Sequence, residues 1–432
     1  MTRTLPPRPD LTQLKHQAKD LLRAHEQQDS SCCAALRRLR RFADASNAAV
    51  LAAPVALHEA QYALAMEYGF ASWNALKRHV EKVTGRPSPV RREKDRTYIA
   101  GLEKHSIGCQ NAHDNSVIAC IAGAMAIMGE EKMTYPYLMG VSGAAFRVQM
   151  HQPNWCPSAA CAPCGYDCVP GAMKATGYRM TSLPVKHDAN PEQAILNAGP
   201  MIQESIERGV PVVYISEEAG LAVGYRSDGQ RIIRAYESPQ EGYSDTSDWP
   251  WVIGVIQPED MPMDRRDAVA ASLRLAVTLA NTERFGNYLS GFAALTHWTN
   301  ALLDDARFNA LTADNWFPVA HGNGYSYACL WSARLNAEKY LREVALDFEE
   351  PIHSRLLELA GLYQRMHQTL ADTKPQYDCV WSLQPWMLKS PANWTRAIRQ
   401  KESDLLRQTL AIERETIAKI EALLPLIEAP QD

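Results

Sequence analysis

The stretch GCQNAHDNSVIACIAGAM, residues 108–125, runs from a glycine, a thiol and polar residues into a series of small apolar residues. Cys109 and His113 stand four apart, and His105 lies four residues before Cys109. On a helix the three would share one face, as a thiol–imidazole pair or a metal site. Gly108 and the polar run favour a loop, where that spacing loses its meaning. A second thiol cluster is NWCPSAACAPCGYDCVP, with Cys156, Cys161, Cys164 and Cys168. Its spacings fit no zinc ribbon, whose two knuckles are widely separated in sequence. Three readings stay open: buried structural thiols, a loop wrapped around zinc, or one or two reactive thiols. Cys168 is the best reactive candidate, because it would start a helix whose dipole lowers a thiol pKa. Zinc is the one cofactor these residues raise; otherwise no cofactor is expected.

Further polar groups interrupt apolar sequence. GVSGAAFRV, residues 140–148, sets Ser142 between glycines and near Arg147, as a tight turn or as an anion cradle. Glu217 and Glu218 lie between two apolar strands, either as a solvated bend or as carboxylates facing a cleft for acid–base work or amine binding. His321, Asn323 and Tyr325, in HGNGYSY, read as a loop and helix start, either no more than that or, as the family resemblance given below implies, a cover for a cleft.

The elements that must position these residues fall into blocks. Residues 1–84 read as helices only. Asp10 caps the first, with Leu14, Ala18, Leu21 and Leu22 on its apolar face, and others cover about 31–42, 56–68 and 72 onward. Residues 85–97, with prolines and arginines and no periodicity, read as a linker. Residues 98–260 mix a small-residue helix over 116–128, helices over 168–178 and 191–208, and strands at 210–216, 220–225, 230–237 and 249–256. Residues 261–432 read as helices at 268–282, 286–303, 325–346, 352–370 and 393–424. The last would serve a homodimer or pack on the body. Trp298, Trp316, Trp331, Trp381, Trp386 and Trp394 fit a ligand pocket or domain packing. The fold class is α+β, with helices on an antiparallel sheet between two helical regions.

A net charge of −4 gives no electrostatic case for nucleic acid or an anionic membrane, and no apolar run is long enough to span a bilayer. Ten cysteines and no apolar leader in MTRTLPPRPD point to reduced thiols in the cytoplasm.

The phrase EYGFASWNALKRHVE resembles a short helical module of bacterial ankyrin-type proteins. GVPVVYISEEAGLAVGYRSDGQRIIRAYES resembles the strand pair of papain-like bacteriocin-processing cysteine peptidases. HDNSVIACIAGAM and YPYLMGVSGAAFRV are similar to the N-terminal domain of the butirosin-biosynthesis protein H family, papain-fold acyltransferases whose thiol carries an acyl group to an amine. The resemblance covers about 99–260 and implies a papain-like central domain. It also implies a small or carrier-bound acyl substrate and a cleft between the first helix and the histidine-bearing strand. This chain departs at both positions. Asp114-Asn115-Ser116 stands where the cysteine should be, and Glu217, Glu218 and Gly220 stand near the histidine's place.

The expectation is therefore a papain-like acyltransferase or amide hydrolase with rearranged residues. Cys109, His113, Asp114, Asn115, Glu217 and Glu218 would carry the chemistry. Arg147, Ser142, Cys168, Tyr225, His321, Asn323 and Tyr325 would hold the ligand. The alternative is a ligand- or metal-binding protein on a degenerate papain-like domain.

Overall fold

The computed structural model describes residues 5, 9–85, 88–108, 112–237, 241–259, 262–371 and 383–429. The N-terminal part holds α1 (Leu11–Glu26), α2 (Cys33–Leu36), α3 (Asn47–Ala52), α4 (Leu57–Glu67) and α5 (Trp73–Thr84). Asp10 and Ser72 cap α1 and α5 through side-chain oxygens, satisfying first-turn N–H groups that have no intrahelical partner. Leu14, Leu64 and Leu76 close one small core, while Leu36, Phe42 and Val50 close another. The helix expected over 31–42 is broken: only α2 is α-helical there, and short 3₁₀ turns flank it.

The expected linker is a sheet edge from residue 90 onward. β1 (Val90–Arg92) and β2 (Arg96–Ile99) pair antiparallel, and Val90 and Ile99 are buried where a tether would be solvated. A main antiparallel sheet follows, built from these two strands with β4 (Tyr178–Pro184), β5 (Val212–Ile215), β6 (Ala219–Arg226), β7 (Arg231–Arg234), β8 (Ser244–Thr246) and β9 (Val252–Pro258). Its order is β1-β2-β6-β5-β9-β4, with β7 also on β6 and β8 on β7. A small second sheet joins β3 (Gln149–His151) to the hairpin of β10 (Arg284–Phe285) and β11 (Tyr288–Ser290).

Against the main sheet pack α6 (Ser116–Ile127), α7 (Tyr135–Val141), α8 (Val169–Thr176) and α9 (Pro191–Glu207). Every α6 residue from Ser116 to Met125 is buried, as a helix apolar on all sides requires. The C-terminal part contributes α10 (Arg265–Asn281), α11 (Gly291–Ala301), α12 (Asp305–Asn309), α13 (Trp316–Ala345), α14 (Ile352–Ala371), α15 (Pro385–Leu388) and α16 (Arg396–Glu428). One hydrophobic core runs from Val90 through Ile121 and Val213 to Tyr340, Met366 and Ile427, so sheet and C-terminal helices share it. A second core gathers Trp155, Trp298, Trp316 and Trp394. Trp331 is half-buried and Trp386 exposed, whereas Trp381 lies outside the described residues. Arg334 and Glu413, almost fully buried, pair at 2.9 Å and tie α13 to α16. Among the described residues no helix is long and apolar enough to cross a membrane.

Two C-terminal helices differ from expectation in a way that matters for the site. Residues 284–290 form the β10–β11 hairpin, so α11 begins only at Gly291. Helix α13 begins at Trp316, which makes His321, Asn323 and Tyr325 helical rather than a covering loop.

Candidate functional site

The polar residues converge where the N-terminus of α6 meets the turn between β5 and β6. Pairing of Ile215 with Ala219 leaves residues 216–218 as the turn, closed by the Ser216 N–H donating to the Glu218 carbonyl at 3.0 Å. The two carboxylates part company there. Glu217 is exposed, while Glu218 turns inward. Ser116, the first residue of α6, donates its hydroxyl to Glu218 Oε2 at 2.7 Å. The same Oγ accepts from the Ala219 N–H at 3.1 Å. Tyr325, from α13, donates to Glu218 Oε1 at 2.5 Å. Burial raises the Glu218 pKa, and the Tyr325 and Ser116 hydrogen bonds oppose the rise by favouring the carboxylate. A hydroxyl thus shares its proton with a carboxylate at a helix N-terminus, where first-turn N–H groups lend positive potential.

Asn115 does not stand in for a nucleophile. Its Oδ1 caps α6 by accepting from the Ile118 N–H at 3.3 Å, and its own N–H donates to the Tyr135 hydroxyl. Asp114 is 6% exposed, with Oδ2 unpaired among the described residues. Burial raises its pKa to about 6; a Ser332 hydrogen bond lowers it, and the Glu218 charge adds to the rise. Asp114, Asn115, Arg147, Ser326, Cys329 and Ser332 help line an internal cavity of about 40 Å³, polar and roomy enough for ordered water. Cys329 lies near Asp114, Glu218 and Tyr325, and burial drives its thiol pKa well up.

Ala112 and His113, shortly before α6, are held from two sides. Gly108 and His113 form an antiparallel bridge, and Ser332 and Asn336 of α13 both donate to the Ala112 carbonyl. His113 Nδ1 donates to the Ser106 carbonyl at 3.1 Å while its ring packs on Tyr135. His105 Nε2 donates to the Ala119 carbonyl at 2.8 Å. Burial lowers the pKa of both imidazoles, so both are held neutral as struts. Cys109, a candidate partner of His113, lies outside the described residues.

Outward from Glu218, the Tyr325 ring meets His321, which in turn contacts Phe317 and Trp386. Phe317 and Trp386 are about half exposed, and the charge of exposed Glu217 acts on His321. These residues form an aromatic, acidic cluster outward of the Ser116–Glu218 pair.

Several expected ligand residues are used elsewhere. The Arg147 guanidinium donates to six carbonyls, those of residues 159–162, 164 and 166, and so knits the cysteine loop instead of meeting an anion at the rim. Ser142 is fully buried in a turn, donating to the Met139 carbonyl and accepting from the Ala144 N–H. Tyr225 donates to Glu207 on α9. Asn323 is buried between Trp298 and Glu402. Cys168 does sit at the start of α8, but burial raises its pKa, overriding the helix dipole. Among the described residues no three His, Cys, Asp or Glu side chains are arranged to hold a metal, so Cys156, Cys161, Cys164 and Cys168 do not converge as one set.

Sequence reasoning passed over Ser116 as a partner for Glu218 and missed Cys329 and Ser332 altogether. The signal was present: His321, Tyr325 and Cys329 recur every fourth residue, the spacing of one helix face. Larger surface concavities, of about 770 and 820 Å³, lie away from Ser116 and Glu218. The chain matches no protein-family model and no curated protein.

Proposed function

We propose that the chain is a papain-like acyltransferase or amide hydrolase that uses Ser116 and Glu218 where its relatives would use cysteine and histidine. The observation that carries this reading is the 2.7 Å hydrogen bond from Ser116 Oγ, at the first residue of α6, to Glu218 on the strand-turn facing it. Nucleophilic catalysis needs a hydroxyl within reach of a base that is itself oriented by a third group, and Tyr325 is that third group. In this mechanism Ser116 Oγ attacks the acyl carbonyl and Glu218 accepts its proton. The departing thiol or amine leaves with that proton. An amine or water then attacks the acyl-serine, giving a proton to Glu218, which returns it to Ser116 Oγ as the acyl–oxygen bond breaks. The N-terminus of α6 stabilises negative charge as it develops on the carbonyl oxygen. The cluster of Glu217, His321, Phe317 and Trp386 suits an acceptor that carries a cationic group besides its neutral reacting amine, through one carboxylate and the aromatic faces.

A protein that holds its ligand without turnover is the second reading. It is favoured by Ser116, a residue 7% exposed whose hydroxyl already makes a bond in each direction. Hydrolysis of p-nitrophenyl esters and acyl thioesters separates the two. Turnover by the wild type and by Cys329→Ala, but not by Ser116→Ala, supports the enzyme. No turnover with any acyl donor, alongside tight ligand binding in native mass spectrometry, supports the binding protein.

A further inference from the structure

The cysteine loop carries chemistry that the Ser116 site does not use. Within it, Cys161-Ala162-Pro163-Cys164 spaces two thiols by two residues. The Cys164 N–H donates to the Cys161 carbonyl at 3.2 Å, closing a β-turn. Such a turn brings its end Cα atoms within about 7 Å. A disulfide spans Cα separations of about 4.4–6.8 Å, so the backbone already holds the pair near bonding distance. The two thiols act on each other's protonation, the proton favoured on Cys161 and the charge on Cys164.

The surroundings treat the two sulfurs differently. Arg147 donates to the carbonyls of both cysteines, at 3.0 Å to Cys161 and 3.3 Å to Cys164, so a buried cation underlies the turn. Gln149 Nε2 also donates to the Cys164 carbonyl, and the Tyr288 hydroxyl reaches Cys164 Sγ. The Cys161 thiol, then the Tyr288 hydroxyl and the Arg147 charge, lower the Cys164 pKa against the opposing effect of burial. Cys161 is driven the other way. Both cysteines keep part of their surface exposed, whereas Cys120 and Cys168 are fully buried. Pro163 and Asp167 of the same loop line a surface cleft of about 820 Å³.

We propose that Cys161 and Cys164 are a redox-active dithiol that reduces low-molecular-weight disulfides, with Cys164 attacking and Cys161 resolving. In the first step the Cys164 thiolate attacks one sulfur of the disulfide. The S–S bond breaks, a thiolate leaves and takes a proton from water, and a mixed disulfide remains on Cys164. Cys161 then gives up its proton and attacks Cys164 Sγ, expelling the second thiolate, which is protonated in turn. The chain loses two electrons as its thiols become a disulfide, and the small disulfide gains them as two thiols. Attack by the thiol with more thiolate near neutral pH is the faster route, which sets the order of the two cysteines.

The test uses the full chain under native conditions in glutathione/glutathione disulfide mixtures, with peptide mapping by mass spectrometry. In the wild type the Cys161–Cys164 peptide should lose two hydrogens. Cys161→Ser should accumulate glutathione on Cys164, and Cys164→Ser should leave Cys161 reduced. Cys156, half-buried in the same loop, is the internal control. Absence of the intramolecular bond at every ratio would overturn the proposal, as would equal glutathione addition to Cys156, Cys161 and Cys164. Iodoacetamide labelling of the wild type across pH needs no variant: Cys164 should react first as pH rises from 5, and Cys164 reacting no earlier than Cys156 contradicts the assignment.

Discussion

Asp114 offers the sharpest quantitative expectation. Its carboxylate is buried beside α6 with one oxygen unpaired among the described residues, and its pKa rises from 3.8 to about 6. For an acid whose folded pKa is raised, protonation favours the folded state. That contribution to stability is full below about 3.8 and is lost as pH rises through about 6. The gap, at about 1.36 kcal/mol per pH unit, corresponds to about 3 kcal/mol of strain carried at neutral pH. Asp114→Asn keeps the shape and removes the charge, so it should stabilise the chain relative to wild type by up to about 3 kcal/mol at pH 8. The advantage should shrink to a constant offset at pH 4 and below. Urea-unfolding midpoints of both proteins, read from tryptophan fluorescence between pH 4 and 8, give the difference directly. A difference that stays flat across this range would refute the reasoning, because it would mean the carboxylate titrates alike folded and unfolded. A strained carboxyl beside a candidate nucleophile is itself characteristic of sites that tune pKa for chemistry.

Other expectations follow from single contacts. Tyr325→Phe removes one donor to Glu218, and a hydrogen bond to a charged group contributes about 1.5–3 kcal/mol. The acidic limb of the pH–rate profile for ester hydrolysis should therefore move up by about one to two pH units. Arg334→Met leaves Glu413 buried without its cation and should cost about 3–5 kcal/mol in urea unfolding. Gly322→Ala would put a Cβ 2.4 Å from the Trp155 carbonyl oxygen, forcing α13 from the 155 segment; differential scanning calorimetry should show a lower melting temperature.

How far the sequence could be read depended on whether local pattern or distant contact decides an element. The small-residue run at α6 and the paired apolar strands β5 and β6 were legible because burial on several sides leaves a local signature. Strand β4, YRMTSLP, was not: most of its residues are only half-buried or exposed, and seven register positions with β9 define it. The start of α13 was misread because Gly322 and Gly324 look like breakers. Their role is close approach, since a Cβ at either would strike the backbone at Trp155 or Leu383. That misreading hid Cys329 from the site. Of the site itself, the sequence offers Glu218, Tyr325 and Asp114; the structure joins Tyr325 to Glu218 and sets Asp114 just before α6. Arg147 and Cys168 misled because charge and helix position were visible while burial was not.

The central claim is that Ser116, activated by Glu218, is the nucleophile. Exposure of the full chain to a fluorophosphonate probe, with the modified residue mapped by peptide mass spectrometry, tests it most directly. One adduct is expected, on Ser116, strongly diminished in Glu218→Gln and undisturbed in Cys329→Ala. No adduct on Ser116, or one whose rate is the same in Glu218→Gln, would contradict it.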